Sequence, residues 1–280
     1  MPTDDARLDA YLSFAIDVAR AAGAVQLQGL SSRPAISLKG PRELVTPIDH
    51  ACEALIVERI QAAYPDHGYF AEEGHSRPGA LRWIVDPVDG TTNYAQRLPL
   101  FSVSIGLEEV GRGVVLGVVL APYLDELFYG RAGGGAFLRR GQEPPRRLEV
   151  SRTERLSDAV LSTGFAYVQD DTPNHNLDNW AALSRATRAL RRGGSAAIDL
   201  AYVADGRFDG FWEMHLKPYD VAAGALLIRE AGGRVTDMFL GDDWLEGQSF
   251  VGTNGRLHDA LAGALAPVRP DAWVRRPGKS

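Results

Sequence analysis

The sequence predicts a layered α/β fold in which helices and sheets alternate. Two segments with helical periodicity come first, at 6–29 and 47–63. A run of Val-, Ile- and Leu-rich segments bounded by Gly and Pro follows at 82–139, which is typical of antiparallel strands. Strand-like and helix-like segments then alternate from 159 onward. Because strands and helices are partly segregated along the chain, we expect α+β layers, and not a single doubly wound sheet.

The first two elements are predicted helices. Through 6–29, apolar residues recur at helical spacing, at Leu8, Leu12, Ala15, Val18, Ala22 and Val25. Segment 31–42 contains Gly and Pro and is predicted to be a loop or a short hairpin. The helix at 47–63 has a well-marked start, because Thr46 can act as N-cap, Pro47 suits the first helical position, and Asp49 stands three residues after the cap.

The strand-rich stretch contains predicted strands at 82–86, 100–108, 113–121, 123–131 and 135–139. Pro87 lacks a backbone donor and is predicted to end the first of these strands. Segment 142–147 carries two prolines and is the predicted boundary between an N-terminal half, 1–145, and a C-terminal half, 146–280. We expect the two halves to form one compact unit.

The C-terminal half is predicted to alternate strands with helices. The strands lie at 159–163 and 210–213, and the helices at 176–190, 196–204 and 221–231. Gly232 and Gly233 follow the last helix and are typical of a helix end. The Pro- and Arg-rich tail at 267–280 is predicted to be frayed.

Composition excludes several classes of protein. The 280 residues, 45% of them hydrophobic, are enough for a substantial core. The net charge is −6 and no basic stripe is present, so a nucleic-acid partner is not expected. No apolar run reaches the roughly 18–20 residues needed to span a membrane. Cys52 is the sole cysteine, so no internal disulfide can form; we expect a buried thiol and a cytoplasmic protein.

The most informative segment is WIVDPVDGTTN at 83–93. Asp86 and Asp89 are close enough in sequence to turn into one pocket, with the Val88 carbonyl between them. Gly90 and the two threonines after it start a turn or a helix, where free backbone N–H groups can hold a phosphate. This one segment therefore offers oxygen ligands for a cation beside an anion cradle.

Further acids stand at the ends of other apolar elements. Glu72 and Glu73 follow the apolar pair at 69–70, and Asp220 opens the segment VAAGALLIREAGG. Ligands that are all oxygen suit magnesium, calcium or manganese. The histidines show no zinc spacing, and cysteine ligands are lacking, so zinc is not expected.

Each of these acids also has a purely structural interpretation. Asp220 can be a helix N-cap, and Asp49 can be only the acid of a capping box. Glu72 and Glu73 can form a solvated turn, and 86–90 can be an ordinary turn. The residues alone leave these alternatives open.

Four segments together resemble the inositol monophosphatase family. They are ELVTPIDHACEALI from Glu43, FAEEG ending at Gly74, WIVDPVDGTTNYAQRLPLFSVSIGL, and KPYDVAAGALLIREAGGRVTD. They occur in the family's order and cover roughly residues 40–255. Two positions depart from the usual pattern: Ala71 stands where the family has Gly, and Tyr219 where it has Trp.

The resemblance implies an αβαβα sandwich of the sugar-phosphatase type. It also implies a magnesium-dependent, lithium-sensitive phosphatase that works as a homodimer. Two or three Mg²⁺ ions would neutralise a small phosphate monoester and lower the pKa of the attacking water, which would act directly, without a phospho-enzyme.

The resemblance also assigns roles to individual residues. Metal ligands would be Glu72, Asp86, the Val88 carbonyl, Asp89 and Asp220. Catalytic residues would be Asp49, Glu72 and Thr91, with Asp49 and Thr91 activating the water. Substrate contacts would come from Asp89, Gly90, Thr91, Thr92, Ala196, Glu213 and Asp220. Lys39 and Glu73 match positions near the site.

The choice of substrate stays open at this point. The Gly-Thr-Thr-Asn run and the Gly-Phe-Trp-Glu sequence at 210–213 favour myo-inositol monophosphate. Alternatives with the same chemistry are histidinol phosphate, fructose 1,6-bisphosphate, NADP and 3′-phosphoadenosine 5′-phosphate. A regulatory binding protein that keeps the fold is a further alternative. A calcium-binding structural domain would explain the oxygen ligands but not the phosphate cradle, and the acids lack EF-hand spacing.

Overall fold

The computed structural model describes residues 3–31, 35–40, 42–165, 176–247 and 249–265. Within these ranges the chain forms two large sheets and a small hairpin, with helices between and outside the sheets. The predicted layered α/β class is confirmed. The tail predicted to fray, 267–280, lies outside the described residues.

The larger sheet is built by the first part of the chain. Its elements are α1 (Asp4–Gly29), β1 (Ser37–Leu38), β2 (Leu44–Val45), α2 (Pro47–Ala63), β3 (Gly68–Ala71), β4 (Ser76–Arg77), β5 (Leu81–Asp89), α3 (Thr91–Ala95), β6 (Ser102–Glu109), β7 (Gly113–Ala121), β8 (Glu126–Arg131), β9 (Gly135–Arg140) and β10 (Arg146–Arg147). The strand order is β10-β9-β8-β7-β6-β5-β3-β4, and only β3 and β5 pair in parallel among these described strands. The sequence does not predict β3, β4 or β10, because such short strands carry no readable periodicity.

Both predicted N-terminal helices are confirmed. Helix α1 starts at a cap formed by Thr3, whose hydroxyl accepts a hydrogen bond from Ala6 N at 3.3 Å. Helix α2 has the predicted limits and the predicted capping box, with Thr46 as N-cap and Asp49 as the reciprocal acid. The segment between the two helices contains the antiparallel hairpin of β1 and β2, one of the two predicted forms.

The prediction that Pro87 ends its strand is wrong. Strand β5 continues to Asp89, and the register shifts between the pairs Asp86–Ser104 and Asp89–Ser102. A bulge leaves a residue unpaired, so a proline placed there removes no ladder hydrogen bond. The bulge therefore lets the strand carry both aspartates.

The second sheet is built by the rest of the chain. Its elements are β11 (Val160–Thr163), α4 (Leu177–Ala186), β12 (Ala189–Arg191), α5 (Ala196–Ala204), β13 (Gly210–Met214), α6 (Pro218–Glu230), β14 (Arg234–Thr236), β15 (Ser249–Thr253) and α7 (His258–Ala264). The order β12-β11-β13-β15-β14 combines parallel pairs on one side with antiparallel pairs on the other.

Two helix limits differ from the prediction. The helix predicted at 176–190 ends at Ala186, because Thr187 adopts an extended backbone and the chain continues into β12. The half-buried Ala189 and Leu190 pair beside β11, so sheet formation takes precedence over helical propensity here. The helix predicted at 221–231 begins earlier, at Pro218, which occupies the first helical position.

Helix α6 lies in the middle of the molecule. It contacts β5–β9 of the larger sheet, β14 and β15 of the smaller sheet, and helix α5 beside it. The approach to the larger sheet requires glycine: a Cβ on Gly117 would lie 2.5 Å from the Ala223 carbonyl oxygen. Helices α1 and α2 cover the outer face of the larger sheet. Two layers of helices thus enclose the larger sheet.

Strand β13 separates two apolar clusters. Phe211 belongs to the main core, which extends through α5 and α6 to the larger sheet, whereas Trp212 belongs to a smaller cluster with Leu183 of α4 and Leu261 of α7. Alternate side chains of a strand face opposite sides of the sheet, so the layer order is αβαβα.

Cys52 is fully buried as predicted, and burial raises the pKa of its thiol to about 12. Over the described part of the chain, no helix has the length and apolar character needed to cross a membrane.

Candidate active site

The bulge in β5 determines the direction of two acids. Asp86 accepts a hydrogen bond from Val88 N at 3.0 Å, which closes a tight turn around Pro87. Gly90 follows with a φ of 89°, a left-handed conformation that suits glycine, and helix α3 begins directly after it. A Cβ on Gly90 would lie 2.9 Å from the Leu100 carbonyl oxygen. The sequence Asp-Pro-Val-Asp-Gly therefore turns both carboxylates to one side of the sheet.

A buried Asp–Thr pair lies behind this turn. The Thr91 hydroxyl is 2.9 Å from Asp49 Oδ1 and 3.0 Å from the Val88 carbonyl oxygen. The other oxygen of Asp49 accepts hydrogen bonds from the backbone N and the hydroxyl of Thr46, at 2.9 and 2.5 Å. Asp49 thus serves both the capping box and the contact with Thr91, so its structural interpretation and a catalytic role are compatible.

Asp89 is held by the start of helix α5. Its carboxylate accepts hydrogen bonds from Ala197 N at 2.9 Å, from Ala196 N at 3.2 Å and from the Ser102 hydroxyl at 3.2 Å. The hydroxyl of Ser195, the N-cap of α5, also donates to it. These donors join the end of the larger sheet to the first turn of a helix in the second half of the chain.

Asp220 is not the N-cap of its helix, which was the structural interpretation offered by the sequence. Lys217 is the N-cap of α6, and Asp220 occupies the third helical position, where it accepts a hydrogen bond from Lys217 N at 2.6 Å. This is the acid's half of a capping box; the Lys217 side chain has no acceptor, and Asp220 N donates to the Lys217 carbonyl oxygen instead. The N-cap alternative fails because Pro218 starts the helix two residues before Asp220.

Glu72 comes from the tip of the β3–β4 hairpin. Its Oε1 atom is 2.7 Å from Lys39 Nζ, which is also 2.7 Å from Glu73 Oε1. Its second oxygen, Oε2, is buried and has no hydrogen-bond partner among the described residues. Burial raises the pKa of Glu72 to about 7, although Lys39 opposes the shift. Glu72 lines the same cavity as Asp86, and its charge raises the pKa of Asp86, so the two carboxylates lie close together.

The electrostatics of these acids favour a bound cation. Burial raises the pKa of Asp86 well above its ordinary value, and repulsion from Glu72, Asp89 and Asp220 adds to the effect. Burial also raises the pKa of Asp89 and of Asp220. Several buried carboxylates can ionise together only beside cations.

The donor set fits a hard divalent cation. It consists of carboxylate oxygens and the Val88 carbonyl, which are ligands that Mg²⁺ accepts. In the ranges that the structure covers, no three acidic, imidazole or thiol side chains already form a shell around one point. Mg²⁺ usually keeps several waters, so two carboxylates, a carbonyl and water are a suitable set for one ion.

A cavity of about 430 Å³ opens onto these acids. Of the predicted residues, those that line it are Glu72, Asp86, Val88, Asp89, Gly90, Thr91, Ala196, Glu213 and Asp220. Asp49 lies behind Thr91, and Thr92 is not among the described residues of the lining. The structure therefore brings together acids and glycines from segments that are far apart in sequence.

Glu213 lies on β13 and is 9% exposed. Burial raises the pKa of its carboxyl well above the ordinary value, and Asp220 and Asp199 add repulsion. A Cβ on Gly164 would lie 2.2 Å from Glu213 Oε2, so the carboxylate rests against a glycine that leaves room for it. Its position in the cavity wall differs from the exposed glutamate that an ordinary strand end would show.

Sequence reasoning missed several residues of this site. Ser102, Ser195, Asp199 and Arg192 either bind Asp89 or line the cavity. Asp199 is buried and accepts a hydrogen bond from Gly193 N. A serine just before a predicted helix is an N-cap signal, so Ser195 could have been found. Ser102 lies within an apolar strand, and nothing in the sequence marks it.

Comparisons of the sequence with a family model and with individual proteins point to the same family. The sequence model of the inositol monophosphatase family matches residues 7–269. An inositol-1-monophosphatase of Rhizobium meliloti is 44% identical over 81% of this chain and 84% of the relative. A protein of Pseudomonas aeruginosa named Nus factor SuhB is 38% identical over 94% of this chain and 98% of the relative.

A solved structure agrees with these sequence matches. The inositol monophosphatase from Anabaena is 41% identical and superimposes with a TM-score of 0.84, covering 95% of this chain and 100% of that one. The family match extends over nearly the whole chain and agrees with the acids, the layers and the motifs described above. The chain therefore belongs to the inositol monophosphatase family and is a phosphoric monoester hydrolase.

Proposed function

We propose that the protein hydrolyses a small phosphate monoester with Mg²⁺, and that myo-inositol monophosphate is its best substrate. The observation that carries the proposal is the meeting of Glu72, Asp86, Asp89 and Asp220 in one cavity beside the Asp49–Thr91 pair. Three segments distant in sequence supply these acids. Their pKa values are raised because buried carboxylates so close together are unfavourable in the ionised form. Bound cations would remove this cost.

Five groups would hold two or three Mg²⁺ ions: Glu72, Asp86, the Val88 carbonyl, Asp89 and Asp220. When bound, the ions would neutralise the phosphate, lower the pKa of a water molecule and stabilise the leaving alkoxide. The buried, unpartnered oxygen of Glu72 supports this ligand set.

The Asp49–Thr91 pair would orient the attacking water. Because the Thr91 hydroxyl can donate its proton to Asp49, its oxygen is left with a lone pair to accept a hydrogen bond from water. The water would attack phosphorus and pass one proton through the Thr91 hydroxyl to Asp49. The ester bond between phosphorus and the leaving oxygen would break, and the alkoxide released would take up one proton, so that no net proton is gained or lost. Glu72, which lines the same cavity, would help to hold the same water.

The turn after Asp89 would hold the phosphate. The N–H groups of Gly90 and Thr91 stand at the start of α3, where backbone donors have no partner within the helix. Thr92 follows in the same turn; since it is outside the cavity lining described here, we propose a backbone contact for it.

The polyol would bind in the same cavity, in contact with Glu213 and Ala196. Both residues line the cavity together with Asp89 and Asp220. A carboxylate recognises hydroxyl groups because it accepts their hydrogen bonds. The relatives named inositol-1-monophosphatase support inositol monophosphate among the substrates that the sequence allows.

A regulatory binding role is the second candidate. Relatives named Nus factor SuhB match this chain over 94% of its length. A partner role would add to hydrolysis, since the acids of the site are present. Co-purification of a defined partner with the wild type would support it. Homodimerisation and a cytoplasmic location also remain proposals.

The test is metal-dependent hydrolysis over a panel of phosphate esters. We expect activity with Mg²⁺, loss of activity with a chelator, recovery when Mg²⁺ is restored, and inhibition by lithium. Inositol monophosphate should have the highest kcat/KM, compared with histidinol phosphate, fructose 1,6-bisphosphate, NADP and 3′-phosphoadenosine 5′-phosphate. Full activity of the metal-free protein would refute the proposed metal role, and a higher kcat/KM for another ester would reassign the substrate.

A further inference from the structure

Helix α2 carries a second buried acid, Glu53, one turn after Asp49. Both side chains are 0% exposed. Residues four apart lie on the same face of a helix. Asp49 faces Thr91, whereas Glu53 faces the tip of the β3–β4 hairpin, where Glu72 lies. No role in the proposed chemistry accounts for this second acid.

Glu53 accepts its hydrogen bonds from that hairpin tip. Glu73 N donates to Oε2 at 2.6 Å, His75 N donates to Oε1 at 3.1 Å, and His75 Nδ1 lies 2.7 Å from Oε1. Two of these donors are backbone groups, so the interaction fixes the path of the chain and not only a side chain. Hydrogen bonds to a charged carboxylate are stronger than those between neutral groups, so Glu53 holds these donors firmly in place.

The tip is also held by the ion pairs of Lys39 with Glu72 and Glu73 and by two backbone hydrogen bonds. Ala71 N donates to the His75 carbonyl oxygen at 2.9 Å, and Glu72 N donates to the Val85 carbonyl oxygen at 3.2 Å. The next backbone N–H along the chain, that of Glu73, donates its hydrogen bond to Glu53. Consecutive amides on either side of Glu72 are therefore held by two different elements, β5 and α2. These two backbone contacts fix the main chain at Glu72, and the ion pair with Lys39 holds one oxygen of its carboxylate.

We infer that Glu53 is a positioning residue, which holds the Glu72 turn so that the Glu72 carboxylate stays beside Asp86 in the cavity. The inference rests on the proposed role of Glu72 as a metal ligand. Helix α2 then holds two parts of the site in a fixed relation, because Asp49 and Glu53 lie one helical turn apart and each contacts a different part. Groups that orient metal ligands typically change metal affinity or activity by about 10- to 100-fold when removed.

The test is Glu53→Gln, with Mg²⁺ binding measured directly by isothermal titration calorimetry. Glutamine keeps the size but replaces one acceptor oxygen with an NH₂ group, so a backbone N–H of the turn loses its acceptor. We expect the dissociation constant for Mg²⁺ to rise by about 10- to 100-fold. At saturating Mg²⁺, kcat should return close to the wild-type value. Glu58→Gln, an exposed change on the same helix, is the matched control and should bind Mg²⁺ like the wild type.

A second variant covers the case in which Glu53→Gln does not fold. Gly74 has a φ of 119° and an added Cβ would meet nothing within 4 Å, so Gly74→Ala strains only the backbone of the turn. It should weaken Mg²⁺ binding in the same direction. Wild-type Mg²⁺ affinity in folded Glu53→Gln, or in Gly74→Ala if Glu53→Gln is unfolded, would overturn the inference. Wild-type affinity in Glu72→Gln would instead overturn the proposed metal site.

Discussion

At the scale of single residues, Glu213 is the side chain that we propose recognises the polyol of the substrate. We predict that Glu213→Gln lowers kcat/KM for inositol monophosphate by about 10- to 200-fold, because hydrogen bonds to a charged group contribute roughly 1.5–3 kcal/mol. An aryl phosphate has no hydroxyl groups to bind and should change much less. The measurement is the ratio of the two specificity constants in the wild type and the variant.

The same measurement separates recognition of the polyol from a purely structural role of Glu213. If Glu213 only fills the space beside Gly164, both substrates should lose activity equally and the ratio should stay the same. An unchanged ratio would therefore contradict the idea that Glu213 recognises the polyol.

Residues differ in how readily the sequence reveals them. Asp86, Asp89 and Asp220 stand at the ends of apolar segments, where an unpaired acid is unexpected, and the structure places all three in the cavity. Glu53 looks like any polar residue of an amphipathic helix, yet it is fully buried. Its partners are backbone amides of another hairpin, and a tertiary contact of that kind leaves no local signal in the sequence.

At the scale of elements, the junction of β14, β15 and α7 depends on a buried histidine. His258 is 0% exposed, and its ring nitrogens lie 2.8 Å from Thr236 Oγ1 and 3.0 Å from Thr253 Oγ1. Burial, and then the charge of Arg234, lowers the pKa of His258 from 6.5 to about 4. The folded protein therefore holds this imidazole neutral.

This lowered pKa predicts a dependence of stability on pH. As pH falls below 6.5 the unfolded chain binds a proton at His258, whereas the folded chain resists protonation until about pH 4. The free energy of unfolding should therefore decrease across that window. In His258→Gln the decrease between pH 7 and pH 5, measured by urea unfolding, should be smaller. His50→Gln, at an exposed histidine, is the control; an equal decrease in all three proteins would contradict the prediction.

Elements were predicted well where a local signal defines them. The limits of α2 follow from its capping box and its proline, both of which act within a few residues. The extension of β5 through Pro87 follows from pairing with β6, which lies farther along the chain. Likewise, β12 exists because β11 lies beside it, so its residues continue the helical pattern in sequence while forming a strand in the fold.

At the scale of the whole molecule, helix α6 joins the two sheets. We predict that Gly117→Ala destabilises the protein by about 1–3 kcal/mol, because the added methyl group overlaps the backbone of Ala223. We also predict that unfolding in urea stays a single transition, as expected if the halves 1–145 and 146–280 form one cooperative unit. The measurements are urea unfolding curves followed by fluorescence and by circular dichroism.

Gly263→Ala on α7 is the matched control. A Cβ at this position meets nothing within 4 Å, so the change should be neutral or stabilising. Two separate transitions in the wild type, or equal midpoints for Gly117→Ala and Gly263→Ala, would contradict the account of α6 as the element that joins both sheets.

The place of α6 in the chain has a consequence for biosynthesis. Glu72, Asp86 and Asp89 leave the ribosome early, in a sheet whose strands are mostly neighbours in sequence and can pair as they emerge. Asp220 and the helix that carries it follow much later. A nascent or prematurely terminated chain that lacks α6 has the first acids but not the last one, and its sheet lacks the helix that covers one face. We therefore expect a chain that ends before α6 to lack the complete acid cluster and to expose the apolar face of the sheet that α6 covers.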